Sequence, residues 1–342
     1  MPQRLLKGMY EDLASEVVSV VRQILVYTFV STSILSAYFL WKVYRSQRVH
    51  KNLKLVLCVS ALSFVLLSAS KQLAELLIEE TREVENRLII NCICISLSTI
   101  NTICLASASL CMNMLTVEQY FATIWVDDYE NRSMRVGVVL VGIVFLQTVP
   151  LGIFLEWYFF HDWYSMLETK ESCLLLHHEP RLSFVCFITG CFSGSACAMY
   201  MYGLYRRSVS MFNDRAEMKT LSSRYQQFEN STWAHSICVS FVMYFLLVAA
   251  GLSVWIWYFI VDPEQSEVRT LGLAVAEVGF IQADAFSLLH VLGIMFSNKF
   301  IRSAVIKDLQ AIGILSNSVG PGVKRHENEA EEYFNQFEQA WK

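Results

Sequence analysis

Four ionisable side chains stand inside otherwise apolar stretches of this 342-residue sequence: Lys71 and Glu75 in one, Glu277 and Asp284 in another, with His290 beyond them. A charge is costly in hydrocarbon, so such residues turn toward a partner or a wet cavity and mark sites of function. Lys71 and Glu75 are one helical turn apart and can neutralise each other, which sets structural pairing beside ligand binding as a reading. Glu277 and Asp284 are seven positions apart, on nearly one helical face, where they can line a cavity open to the outside. Asn91, Ser98 and Asn101 add polar groups at similar depth, and Trp255 and Trp257 add aromatic walls. Interhelical hydrogen bonding or packing competes with a ligand role for each. The ligand-binding candidates are Lys71, Asn101, Trp255, Glu277 and Asp284.

The elements that must position these residues are membrane spans. Hydrophobic residues make up 54% of the chain and charged ones 17%, with a mean hydropathy of +0.40. A soluble domain carries roughly 25% charged residues. Stretches able to cross ~30 Å of hydrocarbon fall at 24–44, 55–78, 88–117, 136–160, 183–205, 234–260 and 270–296. Gly190, Ser193, Gly194 and Ser195 dilute the fifth, which nevertheless holds no charge from Phe184 to Tyr205. The expected fold is an all-α membrane protein, a bundle of seven transmembrane helices.

Lys and Arg orient it. Lys42, Arg45, Arg48, Lys51 and Lys54 follow the first span and Arg206, Arg207, Arg215, Lys219 and Arg224 the fifth. The loop EETREVENR after the second span is mostly acidic, and VDPEQSEVR after the sixth has one basic residue. Basic loops stay in the cytoplasm, so the amino terminus lies outside. The division is an extracellular segment 1–23, a membrane domain 24–296 and a cytoplasmic tail 297–342. The start of the chain lacks signal-peptide features, leaving the first span to direct insertion. In the tail, Phe300, Val305, Ile306, Leu309, Ile312 and Ile314 run roughly along one face with Lys299, Arg302 and Lys307 beside it. That pattern predicts a short amphipathic helix on the inner membrane surface.

A net charge of -4 gives no reason to expect nucleic acid. No phosphate loop, nucleophile elbow or metal-ligand spacing is present, His177 and His178 being adjacent and alone, so neither an enzyme nor a cofactor is expected. A transporter or channel subunit is the rival class, with Lys71, Glu277 and Asp284 as an ion path. Against it stands the lack of internal repeats. Gly190, Gly194 and Ala198 form a small-residue strip suited to close packing within the bundle, and Pro150 sits inside the fourth span.

Two cytoplasmic motifs carry a resemblance. Val117-Glu118, Ala122-Thr123 and Asp128-Tyr129-Glu130 are similar to the VER-x-x-AT…DYE pattern of the nematode Sre family of seven-transmembrane chemoreceptors. Leu221-Ser222-Ser223-Arg224-Tyr225-Gln226-Gln227-Phe228-Glu229-Asn230 resembles the LS-x-RYQ-x-x-EN signature shared by Sre and its sister families Sra and Srb. The resemblance implies a G-protein-coupled receptor for environmental small molecules, at the plasma membrane of a sensory neuron or its cilium. It also implies that the inner ends of spans three, five and six meet a heterotrimeric G protein, through Glu118, Gln119, Tyr120, Asp128, Tyr129, Arg224, Tyr225 and Glu229. Gln119 stands where the family usually has arginine, so an ionic contact of that arginine is absent here. Spans two and seven are neighbours in the implied architecture, and Lys71 and Glu277 lie at equal depth in them. The two charges are therefore expected to meet, with an outward reach of Lys71 to Glu75 as the alternative.

Cys94 precedes Glu118 by 24 positions, about 36 Å of helix, and so belongs at the outer surface. Cys173 is the one cysteine in a proposed outer loop, on the oxidising side. A Cys94–Cys173 disulfide is expected, with Cys92 the competing partner. The remaining cysteines read as small core residues.

Overall fold

A computed structural model describes residues 2–46, 49–81, 87–126, 129, 134–160, 172–178, 180–213, 221–261 and 269–314, some at helix ends by backbone alone. In chain order the helices are α1 (Pro2–Arg45), α2 (Lys51–Glu80), α3 (Arg87–Ile124), α4 (Arg135–Phe160), α5 (Leu175–His178), α6 (Pro180–Asn213), α7 (Leu221–Val261), α8 (Arg269–Ser297) and α9 (Lys299–Ala311). Among the described residues seven helices are long and apolar enough to span a bilayer, α1 to α4 and α6 to α8, and no strand occurs. The helices outrun the apolar stretches that predict them. α3 continues seven residues past 117, and α7 starts thirteen residues before 234. Hydropathy marks only the part of a helix that lipid surrounds, whereas backbone hydrogen bonding continues into the polar sequence at either end.

Residues 1–298 form one compact unit. Within it α2 packs on α3, α1 and α4, α6 on α7, and α8 on α1 and α7. The faces follow helical periodicity. In α2 the buried positions Leu53, Leu57, Ala61, Phe64, Leu67, Lys71 and Ala74 recur every three or four residues, which carries Lys71 onto the bundle side. In α8 the same spacing joins Glu277, Phe280, Asp284, Ser287, Val291 and Ile294. One buried stripe of α3 runs from Cys94 through Ser98, Asn101, Cys104, Ala108, Cys111 and Leu115 to Glu118, so a single helix face connects the two ends of the molecule.

Small residues set how closely the helices approach. A Cβ on Gly137 would lie 2.9 Å from the Asn52 backbone, so only glycine lets α4 lie this near α2 there. Gly194 faces the ring of Tyr244 from α7, placing the small-residue strip of α6 inside the bundle. Trp255 is 1% exposed, but Trp257 is 44% exposed and points away from the bundle. Two residues on a helix are separated by about 200°, so Trp255 and Trp257 cannot both wall one cavity, and Trp257 is removed from that role.

Residues 299–342 form the second unit, described as far as 314. α9 ends at Gly313, whose φ of 76° is a left-handed turn, with Ile314 N–H donating to Leu309 and Gly313 N–H to Gln310. This is a glycine-closed helix end that satisfies the last carbonyls.

Candidate functional site

The end of the bundle that the sequence is expected to put outside gathers charge from four elements. Lys71 Nζ of α2 lies 2.6 Å from Glu277 Oε2 of α8 and 3.0 Å from Glu75 Oε1 one turn along its own helix. Both partners posed by the sequence are thus engaged at once. Arg22 of α1 approaches Glu277 Oε1 at 3.5 Å and His177 Nε2 at 3.7 Å. Phe280, one turn beyond Glu277, sets its ring 4.8 Å from the Lys71 ammonium and 5.5 Å from the His177 ring. Deeper in the bundle Asp284 accepts from Ser68 of α2 and, at 3.3 Å, from Thr28 of α1. A carboxylate away from water is tolerable only with such donors.

The remaining candidates take separate places. Asn101 donates to Leu67 O at 3.0 Å and to Ser70 Oγ at 3.1 Å, strapping α3 to α2. Trp255 packs with Val18, Tyr258, Ala274 and Val275. Val18 lies one turn before Arg22 on α1, so this apolar layer is next to the charged one.

A segment between α4 and α6 packs into this end of the bundle. Cys173 is joined to Cys94 of α3, with an S–S length of 2.05 Å, while Cys92 is free and exposed. Behind the bridge Leu174, Leu175 and Leu176 are buried, and Cys173, Leu174 and Leu176 share a cluster with Val21, Leu25, Ala74, Cys94 and Phe280. Leu175 N–H donates to Ser98 Oγ at 3.0 Å. The open cavity expected around Glu277 and Asp284 is therefore corrected: Glu277 is 0% exposed, and leucines on the tethered segment fill the space above.

Three members of this end were missed from sequence. Arg22 precedes the first apolar stretch, and His177 needs the fold to reach Glu277. Glu156 had a visible signal, being the one acidic residue of the 136–160 stretch. It is buried on α4, where Ser98 Oγ donates to its Oε1 at 2.6 Å and Thr102 at 3.3 Å.

At the opposite end of the bundle Glu118 is also 0% exposed. Gln119 Nε2 donates to its Oε2 at 2.8 Å, and the Tyr129 hydroxyl donates to Oε1. Asn52 completes the knot, giving an amide hydrogen to the Tyr129 oxygen at 3.4 Å and accepting from Gly137 N–H at 2.9 Å. Burial and the neighbouring Glu118 hold the Tyr129 phenol far above its ordinary pKa, so it stays a donor. The His50 ring lies 4.1 Å from that of Tyr129, and its Nδ1 accepts from Asn52 N–H as the N-cap of α2. Burial pushes the His50 pKa down to about 4.

Of the second motif, the structure describes Arg224 and Tyr225 by backbone alone; of the first, Asp128 lies outside the described residues. Tyr120 lies against Phe121 and against Tyr200 of α6, and Glu229 is half-buried. Two motif residues not singled out in the sequence make the interhelical bonds: Gln227 donates to Ser208 O of α6 at 2.9 Å, and Asn230 to Ala122 O of α3 at 2.8 Å. They are three apart and so share a helical face, which was legible as spacing.

Compared with known protein families, residues 9–342 match the serpentine type 7TM GPCR receptor class ab chemoreceptors. A search of the curated proteins finds no match. The match supports the chemoreceptor class but replaces the Sre assignment drawn from the two motifs. One motif is shared across sister families and the other departs at Gln119, so neither separates Sre from its relatives.

Proposed function

This chain belongs to the class ab family of serpentine chemoreceptors, and from that premise we propose that it binds an environmental small molecule in the outer half of its bundle and activates a heterotrimeric G protein at the inner ends of α3, α6 and α7. The observation that carries the reading is the buried Lys71–Glu277 pair beneath a segment tethered to α3. A ligand that shifts the tethered segment acts through Cys94 on α3, the helix whose other end holds Glu118 in its knot. Plasma-membrane residence, in a sensory neuron or its cilium, belongs to the same proposal. The test is G-protein recruitment and whole-cell current in the same transfected cells, with Arg224→Ala as control. Ligand-dependent recruitment, lost in the variant without loss of surface receptor, supports the reading; current without recruitment overturns it in favour of transport.

A further inference from the structure

Glu277 is 0% exposed, yet its Oε1 accepts no hydrogen bond among the described residues. Oε2 is held by Lys71, whereas Oε1 has only the looser contacts with Arg22 and His177, at 3.5 and 3.7 Å. A buried anionic oxygen is satisfied by an N–H or O–H donor, and best by one that carries positive charge.

The charge around it selects against an anion. Glu75, Glu277 and Asp284 are gathered here, and the buried ammonium, Lys71, already contacts two carboxylates and the Phe280 ring. A ligand carboxylate would face three acidic side chains with Lys71 already engaged. A ligand ammonium would find an acceptor lacking a hydrogen bond and an aromatic ring beside it. The neighbouring layer of Val18, Trp255, Tyr258, Ala274 and Val275 offers an apolar wall, and Trp255 Nε1 is itself buried without a hydrogen-bond partner among the described residues. Arg22, with 47% of its side chain exposed, connects Glu277 to the outer surface.

We propose that Glu277 Oε1 anchors a protonated amine with an apolar or aromatic body, whose ammonium takes the place of Arg22 as that half-exposed side chain moves aside, the buried Leu174 to Leu176 leaving no open cavity to fill. This rests on the reading of the outer cluster as the ligand site. The probes are benzylammonium and its charge-reversed partner benzoate at millimolar concentration, added to the purified full-length receptor in lipid nanodiscs.

Benzylammonium is expected to raise Tm by about 2–4 °C and benzoate to leave it unchanged. Arg22→Gln, which removes a competing cation at an exposed position, is expected to lower the half-saturating benzylammonium concentration about 2–5-fold. The shift is expected to vanish in Glu277→Gln and in the double variant Lys71→Met, Glu277→Leu, which removes both members of the buried pair. A shift with benzoate alone, no shift with either probe, or a shift that persists in the double variant overturns the proposal. Stabilisation by benzylammonium without any change in G-protein recruitment upholds the amine site and overturns its reading as the signalling site.

Discussion

Replacing Lys71 by Met removes the ammonium that two carboxylates share and leaves Glu277 wholly buried, with the more distant Arg22 and His177 beside it. Loss of one partner from a fully buried pair typically costs about 3–5 kcal/mol, and the distance of Arg22 puts this variant in that range. Replacing Glu277 by Leu instead leaves Lys71 with Glu75 at 3.0 Å and the Phe280 ring, so a smaller loss of about 1–3 kcal/mol is expected. Glu75 is 24% exposed on its side chain and regains water more easily, which softens the loss of its own contact with Lys71. The double variant leaves no buried charge stranded between α2 and α8. Its loss should fall short of the sum of the two single losses by a coupling of about 1–3 kcal/mol. The assay is Tm in nanodiscs together with surface abundance in cells. Additive losses, or two single variants indistinguishable from the parent, would refute the reasoning.

Cys173→Ala should reduce surface expression and open a new thiol at Cys94, detected by labelling of intact cells; labelling at Cys92 alone would contradict the bridge. Tyr129→Phe keeps the ring against His50 but withdraws a donor from Glu118, and should cost about 1–3 kcal/mol and raise basal second-messenger output; unchanged basal output would separate the knot from signalling. For His50 the sign is fixed by its lowered pKa: the folded protein binds its proton less readily than the unfolded chain. Stability should therefore fall as pH drops from about 6.5 toward 4, by at most about 1.4 kcal/mol per unit. His50→Asn, which can still cap α2, should flatten the Tm profile in that window.

The seven spans were legible because the bilayer fixes a length and a composition that no other environment requires. Helix ends were less so: the polar sequence from Leu221 to Gln226 carries no hydrophobic signal, yet it continues α7. Lys71 and Glu277 were legible as costly charges, and their pairing needed the architecture that the motifs imply. The filled outer end was not legible, because Leu174 to Leu176 read equally well as an exposed apolar run until a disulfide and the Ser98 hydroxyl hold them inside. Arg22 and His177 stand at the edges of short apolar runs, where no local rule distinguishes a buried contact from a solvated one. Gln119 was legible as a departure, but what replaces the missing cation was not. The answer came from Tyr129 and Asn52, ten and sixty-seven positions away in sequence.

Because neutral groups hold Glu118, releasing it separates no pair of opposite charges. In the closed knot Asn52, Glu118, Gln119 and Tyr129 are all buried and add no charge to the surface, whereas opening it would uncover an anion at the carboxyl end of α3, where the helix dipole is already negative. An opened form would thus differ from the closed one in the sign of the surface it offers, and a partner with a basic face could tell them apart at a distance, before any side chain interlocks. Long-range recognition of that kind weakens as salt rises, while the knot itself, closed by short uncharged donors, does not.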